Sequence, residues 1–438
     1  MNANLSTLGA VLPEAVPQET LSRTFRGFPE RMVVGLLAKM PLGGLCMEHA
    51  DGRIHYFGAP GAKITARVRI HDDVEFYKRC AFYGNIGMGE AYTDGLWDTD
   101  DIAAVISWFI ENMSALQGSD TASDKLPGVN LLKIVNWFRH FKRSNTVDNS
   151  RRNIAEHYDL GNEFYGLWLD RTMTYSCGIF SAPGEPLEAA QFAKYDALCK
   201  KLKLSPADHV LEIGCGWGGF SCHAATHYGC RITALTISEA QAVYARQRVK
   251  DAGLEDRVEI RIQDYRLVQG TFDKIASIEM IEAVGDKFHE SFFAKCHEVL
   301  APSGLIALQM ITVPDCRYKS LTKGVDWIQR HIFPGSLLMS IGRVNDVLLK
   351  TGNLFLHDLQ DMGAHYVQTL RHWHRNFNSH LEPVKALGFD EPFIRTWNYY
   401  LKYCEAGFAT RNISVVQAVY TRPNNTLLQQ QFEQPHIQ

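Results

Sequence analysis

No stretch of the sequence approaches the run of about 18 apolar residues that a membrane-crossing helix needs, so no transmembrane helix is expected. Met1 to Thr24 carry acidic and proline residues where a secretory signal would have an apolar core. Charge of one sign is missing too: 45 Lys and Arg stand against 48 Asp and Glu, a formal net charge of −3. That balance speaks against nucleic acid as a partner, because such binding draws on a broad basic surface. The ten cysteines include no C-x-x-C pair, and in a chain of this length they read as reduced, mostly buried thiols of a cytoplasmic protein. No His, Cys and Asp cluster has convincing ligand spacing, so no metal is expected. There is no G-K-[ST] either, which excludes a nucleoside-triphosphate loop.

What is present is a chain of 438 residues with 46% apolar content, enough for two or three domains with real cores. Residues 1–25 are polar. After them, Leu45-Cys46-Met47 and the alternating Lys63 to Ile70 read as strands, Asp72 to Cys80 as a helix with an acidic start, and Asp100 to Leu116 as a second helix. The glycine-rich Gly84 to Tyr92 lies between. Residues 1–116 are therefore expected to form a small α+β accessory domain, serving lipid, membrane or dimer contacts. Residues 117–150 read as a linker. It contains Leu131 to Arg143, in which Trp137, Phe138 and Phe141 are interleaved with Lys133, Arg139, Lys142 and Arg143. Such a basic, aromatic amphipathic helix suits a membrane interface, and equally an ordinary packing surface.

Residues 151–438 are expected to form one continuous α/β domain. Val210 to Ile213 stops abruptly at Gly214-Cys215-Gly216-Trp217-Gly218-Gly219, and a helix-capable stretch follows from Phe220 to Tyr228. Further strands are expected over Arg231 to Ile237, Val258 to Ile262, Phe272 to Ile278, Gly304 to Ile311 and Ile413 to Thr421. A helix over Ser238 to Ala252 opens on Ser238-x-x-Gln241, a capping-box pattern. Strands alternating with helices imply a doubly wound, Rossmann-like parallel sheet, with ligands beyond the carboxyl ends of its strands.

G-x-G-x-x-G by itself admits NAD, flavin or S-adenosylmethionine (SAM). A dinucleotide site wants an acid about 20 residues past the glycines, for the ribose. Here the second strand ends in Thr236, and Gln263-Asp264 at the end of the third could read an adenine edge. That combination favours SAM, which has ribose and adenine but no phosphates.

Val210 to Phe220, Leu235 to Ser238, Gln263 to Arg266 and Glu279 to Gly285 together resemble the cyclopropane-fatty-acyl-phospholipid synthase family of SAM-dependent lipid methyltransferases. So do His157 to Asn162, Tyr175-Ser176-Cys177 and Ile332-Phe333-Pro334-Gly335, in the family's order over about residues 150–420. The resemblance implies methylene transfer from SAM to the cis double bond of an unsaturated phospholipid acyl chain. It further implies a carbocation deprotonated by bound bicarbonate. Cys177, Glu282, Gln309, Ile311 through its backbone, and Tyr366 match the bicarbonate-binding positions. Tyr175 and Ser176 match contacts near the methionine end of SAM. Gly214 and Gly216 match the turn, with Trp217 covering the cofactor, Thr236 and Gln241 the ribose, and Gln263 with Asp264 the adenine. Tyr158 matches a lid position. Gln309 stands where many members have histidine, and an amide cannot carry a proton charge. Methylation without ring closure, giving a methyl-branched or methylene product, is therefore the alternative. A non-catalytic protein that binds SAM or lipid is a second. The implied setting is the cytoplasmic face of a membrane, and a homodimer is compatible with the resemblance.

Overall fold

In the computed structural model, residues 8–11, 27–117 and 160–428 are described. The expected linker, its helix over 131–143, and Tyr158 lie outside them. The chain divides into two compact units. One takes the described residues of Met1–Arg139 together with Gly324–Ile332 and Leu381–Asn412, and the other takes the remainder. The expectation of a single continuous domain from 151 onward is corrected accordingly. Two segments from that half bury their aromatic side chains in the first unit, where Trp327 packs its ring 4.7 Å from that of Tyr399 and is fully buried.

The first unit holds a four-stranded sheet of β1 (Gly44–Glu48), β2 (Ile54–Phe57), β3 (Ile64–Ile70) and β4 (Trp97–Asp98), in the order β2-β1-β3-β4. β3 alternates buried and more exposed side chains, the period-two pattern of a strand with one covered face. The helix that starts at Asp73 is longer than its sequence suggests. It is capped by Asp72, whose carboxylate accepts from the Glu75 N–H at 3.1 Å, and runs to Thr93 across a break at Gly84, where φ is 57°. The glycine-rich stretch is thus helix after the break, because bare backbone at Gly89 lets the Trp327 ring pack against it.

The second unit carries a seven-stranded sheet: β5 (His209–Ile213), β6 (Arg231–Thr236), β7 (Val258–Ile262), β8 (Phe272–Ile278), β9 (Leu300–Thr312), β10 (Phe355–Asp361) and β11 (Ser414–Thr421). Their order is β10-β11-β9-β8-β5-β6-β7. β5 to β9 are parallel, whereas β11 runs antiparallel to β9 and β10 antiparallel to β11, so the sheet is mixed at one edge. The architecture is the expected α/β one, with helices on both faces. Successive residues of β5 face opposite layers: Leu211 and Ile213 enter one core with Leu235, Ile275 and Leu308. Val210 enters the other with Ile232, Ala234 and Phe220. Burial on both faces makes the central strands continuous apolar runs, as parallel sheets require.

Candidate active site

β5 ends at a turn whose conformation only glycine takes readily. Gly214 has φ +84°, and a Cβ there would meet the Met280 side chain at 2.5 Å. Gly216, at φ +52°, would place a Cβ in open space, so a ligand can approach this backbone closely. The next helix, Gly219–Tyr228, presents its N-terminus to the same place. At the end of β6 the Thr236 hydroxyl donates to the Gln241 side-chain oxygen at 2.9 Å. Ser238 caps the helix Glu239–Asp251 by accepting from the Gln241 N–H. Gln241 thus makes only one half of the expected capping box, because its side chain turns to Thr236. Past β7, Asp264 is buried and accepts from Arg266 through the backbone and the guanidinium, at 2.6 to 2.9 Å. The Gln263 side chain, by contrast, makes no hydrogen bond among the described residues. The open glycine backbone, the Thr236–Gln241 pair and Gln263 at three consecutive strand ends suit an uncharged adenosine better than a pyrophosphate.

From this turn an aromatic wall runs inward. Trp217 donates through its indole N–H to the Asn162 side chain at 2.7 Å. Its ring lies 5.2 Å from that of Tyr165, which in turn is 5.6 Å from Tyr175. Tyr175 meets Trp373 at 5.3 Å, and Trp373 meets Tyr366 at 5.9 Å.

The wall ends on a carboxylate to which no role attaches in the sequence reading. Glu279, the first residue past β8, accepts at both oxygens. Gln309 Nε2 and the Cys177 backbone N–H donate to Oε1 at 2.7 and 2.9 Å, and the Tyr366 hydroxyl donates to Oε2 at 2.6 Å. Glu279 has φ +49°, a left-handed conformation that costs a non-glycine residue about 1–3 kcal/mol and tends to persist at functional sites. Burial pushes its carboxyl above the usual range, while its three donors and the charge of Lys194 pull it back.

Glu282 lies one turn further on. Its Oε1 accepts from the Ile311 backbone N–H at 2.6 Å, and its buried Oε2 has no partner. Burial first, and the charge of Glu279 second, push its carboxyl up to about 8. Cys177 takes part through its main chain; its thiol donates to the Gly178 carbonyl at 3.2 Å, and burial holds it neutral, well above 9.0. Gln417 Nε2 donates to Gln309 Oε1 at 3.1 Å, which turns the Gln309 amide N–H toward Glu279. Lys194 is fully buried, donates to the Ser176 hydroxyl at 2.8 Å, and is brought down to about 8 by burial.

The structure thus gathers Cys177, Gln309 and Tyr366 on Glu279, and Ile311 on Glu282. Tyr175 joins the aromatic wall and Ser176 pairs with Lys194. Glu279 and Lys194 escaped the sequence reading. The available signal for Glu279 was an acid immediately after an apolar strand, on the side of the sheet where ligands bind.

This geometry has relatives. The family model described as mycolic acid cyclopropane synthetase matches residues 145–418. The chain belongs to that family. It is 36% identical to the tuberculostearic acid methyltransferase of Mycobacterium tuberculosis over 411 residues, 92% of each chain. It is 34% identical to the cyclopropane-fatty-acyl-phospholipid synthase of Escherichia coli K12, over 80% of this chain and 86% of that one. Among solved structures, the cyclopropane synthase MmaA2 of M. tuberculosis aligns with a TM-score of 0.58 at 30% identity, covering 62% of this chain and 98% of its own. The mycolic acid cyclopropane synthase CmaA1, complexed with S-adenosylhomocysteine (SAH) and CTAB, aligns at 0.57 with 28% identity, covering 62% and 98%. This member of the family is a SAM-dependent methyltransferase of the cyclopropane-synthase type.

Proposed function

We propose that this methyltransferase acts on the cis double bond of an unsaturated acyl chain in a phospholipid, at the cytoplasmic surface of a membrane, and closes a cyclopropane ring. The observation that carries the reading is the aromatic wall that joins the glycine turn at Trp217 to the buried carboxylate of Glu279. SAM, when bound, supplies an electrophilic methyl group. An isolated alkene is a weak nucleophile, so the chain's task is to hold it aligned and close. The faces of Tyr165, Tyr175 and Trp373 favour positive charge on the alkylated chain and keep out the water that would trap it. A basic oxygen then takes a proton from the new methyl group, and the released electron pair closes the ring. Bicarbonate is the base that the resemblance implies; Cys177, Gln309 and Tyr366 are the donors such an anion would use.

A second reading shares the methyl transfer but ends in a methyl-branched or methylene chain. It is favoured by Gln309, which cannot carry a proton, and by the relative named a methyltransferase that spans 92% of both chains. The test is mass spectrometry of unsaturated phospholipids incubated with SAM, followed by ozonolysis. Ring and methylene products both gain one CH2, but only the methylene product remains an alkene and is cleaved. A saturated methyl branch is heavier by two hydrogens. SAM binding without any lipid product would instead identify a non-catalytic binding protein.

A further inference from the structure

We infer that Glu279 is the built-in base of this enzyme: its own carboxylate fills the anion pocket, so that no dissolved anion is needed there to take the proton from the transferred methyl group. The inference rests on the reading that an acyl chain is methylated, and it deepens that reading.

Three donors converge on Glu279, and they come from separate parts of the fold. The Cys177 N–H lies in the loop before the helix Leu187–Lys201, Gln309 on β9, and Tyr366 on the helix Gly363–Ser379. A free anion would compete for these same donors, and both oxygens of Glu279 already engage them. Every contact comes from a donor, so the arrangement suits the charged form of the carboxylate. A tethered carboxylate also explains the amide at position 309. Capturing an ion from solution gains from a cationic partner, whereas a carboxylate on the chain needs only a neutral donor in a fixed orientation. Gln417 supplies that orientation by donating to the far end of the amide.

Backbone and charge point the same way. Glu279 keeps a left-handed conformation that glycine would take with less strain, so the side chain is retained against a conformational cost. Neighbouring Glu282 is poorly suited to the task, since it is pushed up to about 8 and is largely protonated at neutral pH. Buried Lys194 provides the balancing positive charge. In the step itself a C–H bond of the transferred methyl group breaks and the proton passes to a Glu279 oxygen. The electron pair forms the ring C–C bond or, after a hydride shift, a new C=C bond. The proton leaves for water when the product departs.

The experiment measures methylated acyl product in buffer stripped of carbon dioxide, with and without added bicarbonate. Wild-type protein is expected to turn over equally in both. Glu279→Gln keeps the shape but cannot accept the proton, and should lose about 100-fold or more in kcat while SAM affinity is unchanged. Glu279→Gly suits the backbone and empties the pocket. It should be inactive in stripped buffer and partly rescued by bicarbonate or formate. A wild-type enzyme that requires bicarbonate, or a Glu279→Gln variant with undiminished kcat, overturns the inference and leaves the methylation reading intact. Binding of carbon-13 bicarbonate, followed by NMR, decides the occupant without turnover. Binding to the Glu279→Gly variant but not to wild type supports the inference, and binding of wild type at this site overturns it. Wild-type protein that modifies no lipid under any condition defeats the methylation reading itself.

Discussion

Glu279 and Glu282 are three positions apart in sequence, yet their neighbours give them different chemistry. Glu279 collects three donors and lies within the influence of Lys194, whereas Glu282 has a single backbone donor and a bare oxygen. Tyr366→Phe removes one charge-assisted hydrogen bond from Glu279, and product formation should fall about 10- to 100-fold. Steady-state rates alongside an unchanged circular dichroism spectrum would check this. Glu282 also makes a prediction for pH. Its folded-state value of about 8 lies above its ordinary 4.5, so the stability linked to its neutral form is complete below 4.5 and is lost as pH rises through 8. Lys194 acts in the opposite sense: its value is depressed from 10.5 to about 8, so its contribution is lost as pH falls through 8. Wild type and Glu282→Gln share the lysine, and comparing their melting temperatures isolates the carboxyl. The variant should gain on wild type between about pH 6 and pH 9; a constant difference across that range would refute the assignment.

At the scale of elements, the glycine turn and the strand it ends show how local rules reach the ligand. Gly214→Ala forces a side chain into a left-handed backbone and against Met280. It should cost more than about 1 kcal/mol of stability and weaken SAM binding, as urea titration and calorimetry would report. The apolar strands β5, β6, β8 and β9 and the Ser238 cap were legible because burial and capping each leave a residue pattern. β10 was not. Phe355 to Asp361 is mostly exposed and has no period-two pattern, and it becomes a strand only by pairing along β11 at the sheet edge. The helix beyond Gly84 was hidden for a related reason, since its glycines discourage a helix in isolation and the ring of Trp327 rewards one in place.

For the whole molecule, the consequence lies in how the chain is divided. Gly324–Ile332 and Leu381–Asn412 leave the catalytic half of the sequence and pack in the first unit. There Arg395 donates to the Asp98 carboxylate at 2.9 Å and to the Tyr92 carbonyl at 2.6 Å. A fragment beginning at residue 151 would keep these segments without their partners and expose the Trp327 and Tyr399 rings. It should bind a hydrophobic dye and aggregate, whereas the full chain stays monodisperse. Size-exclusion chromatography with light scattering would tell the two apart.

The one-dimensional chain by itself determined the sheet, the glycine turn, the choice of SAM and the family, because each rests on short-range patterns of apolar, glycine and capping residues. Only the tertiary structure decided which carboxylate receives the three donors from Cys177, Gln309 and Tyr366. Those donors lie 102, 30 and 87 positions from Glu279, and no local pattern records a pocket assembled across such distances. It also decided that the Cys177 main chain, and not its thiol, makes the contact. That follows from backbone direction, which residue identity does not encode.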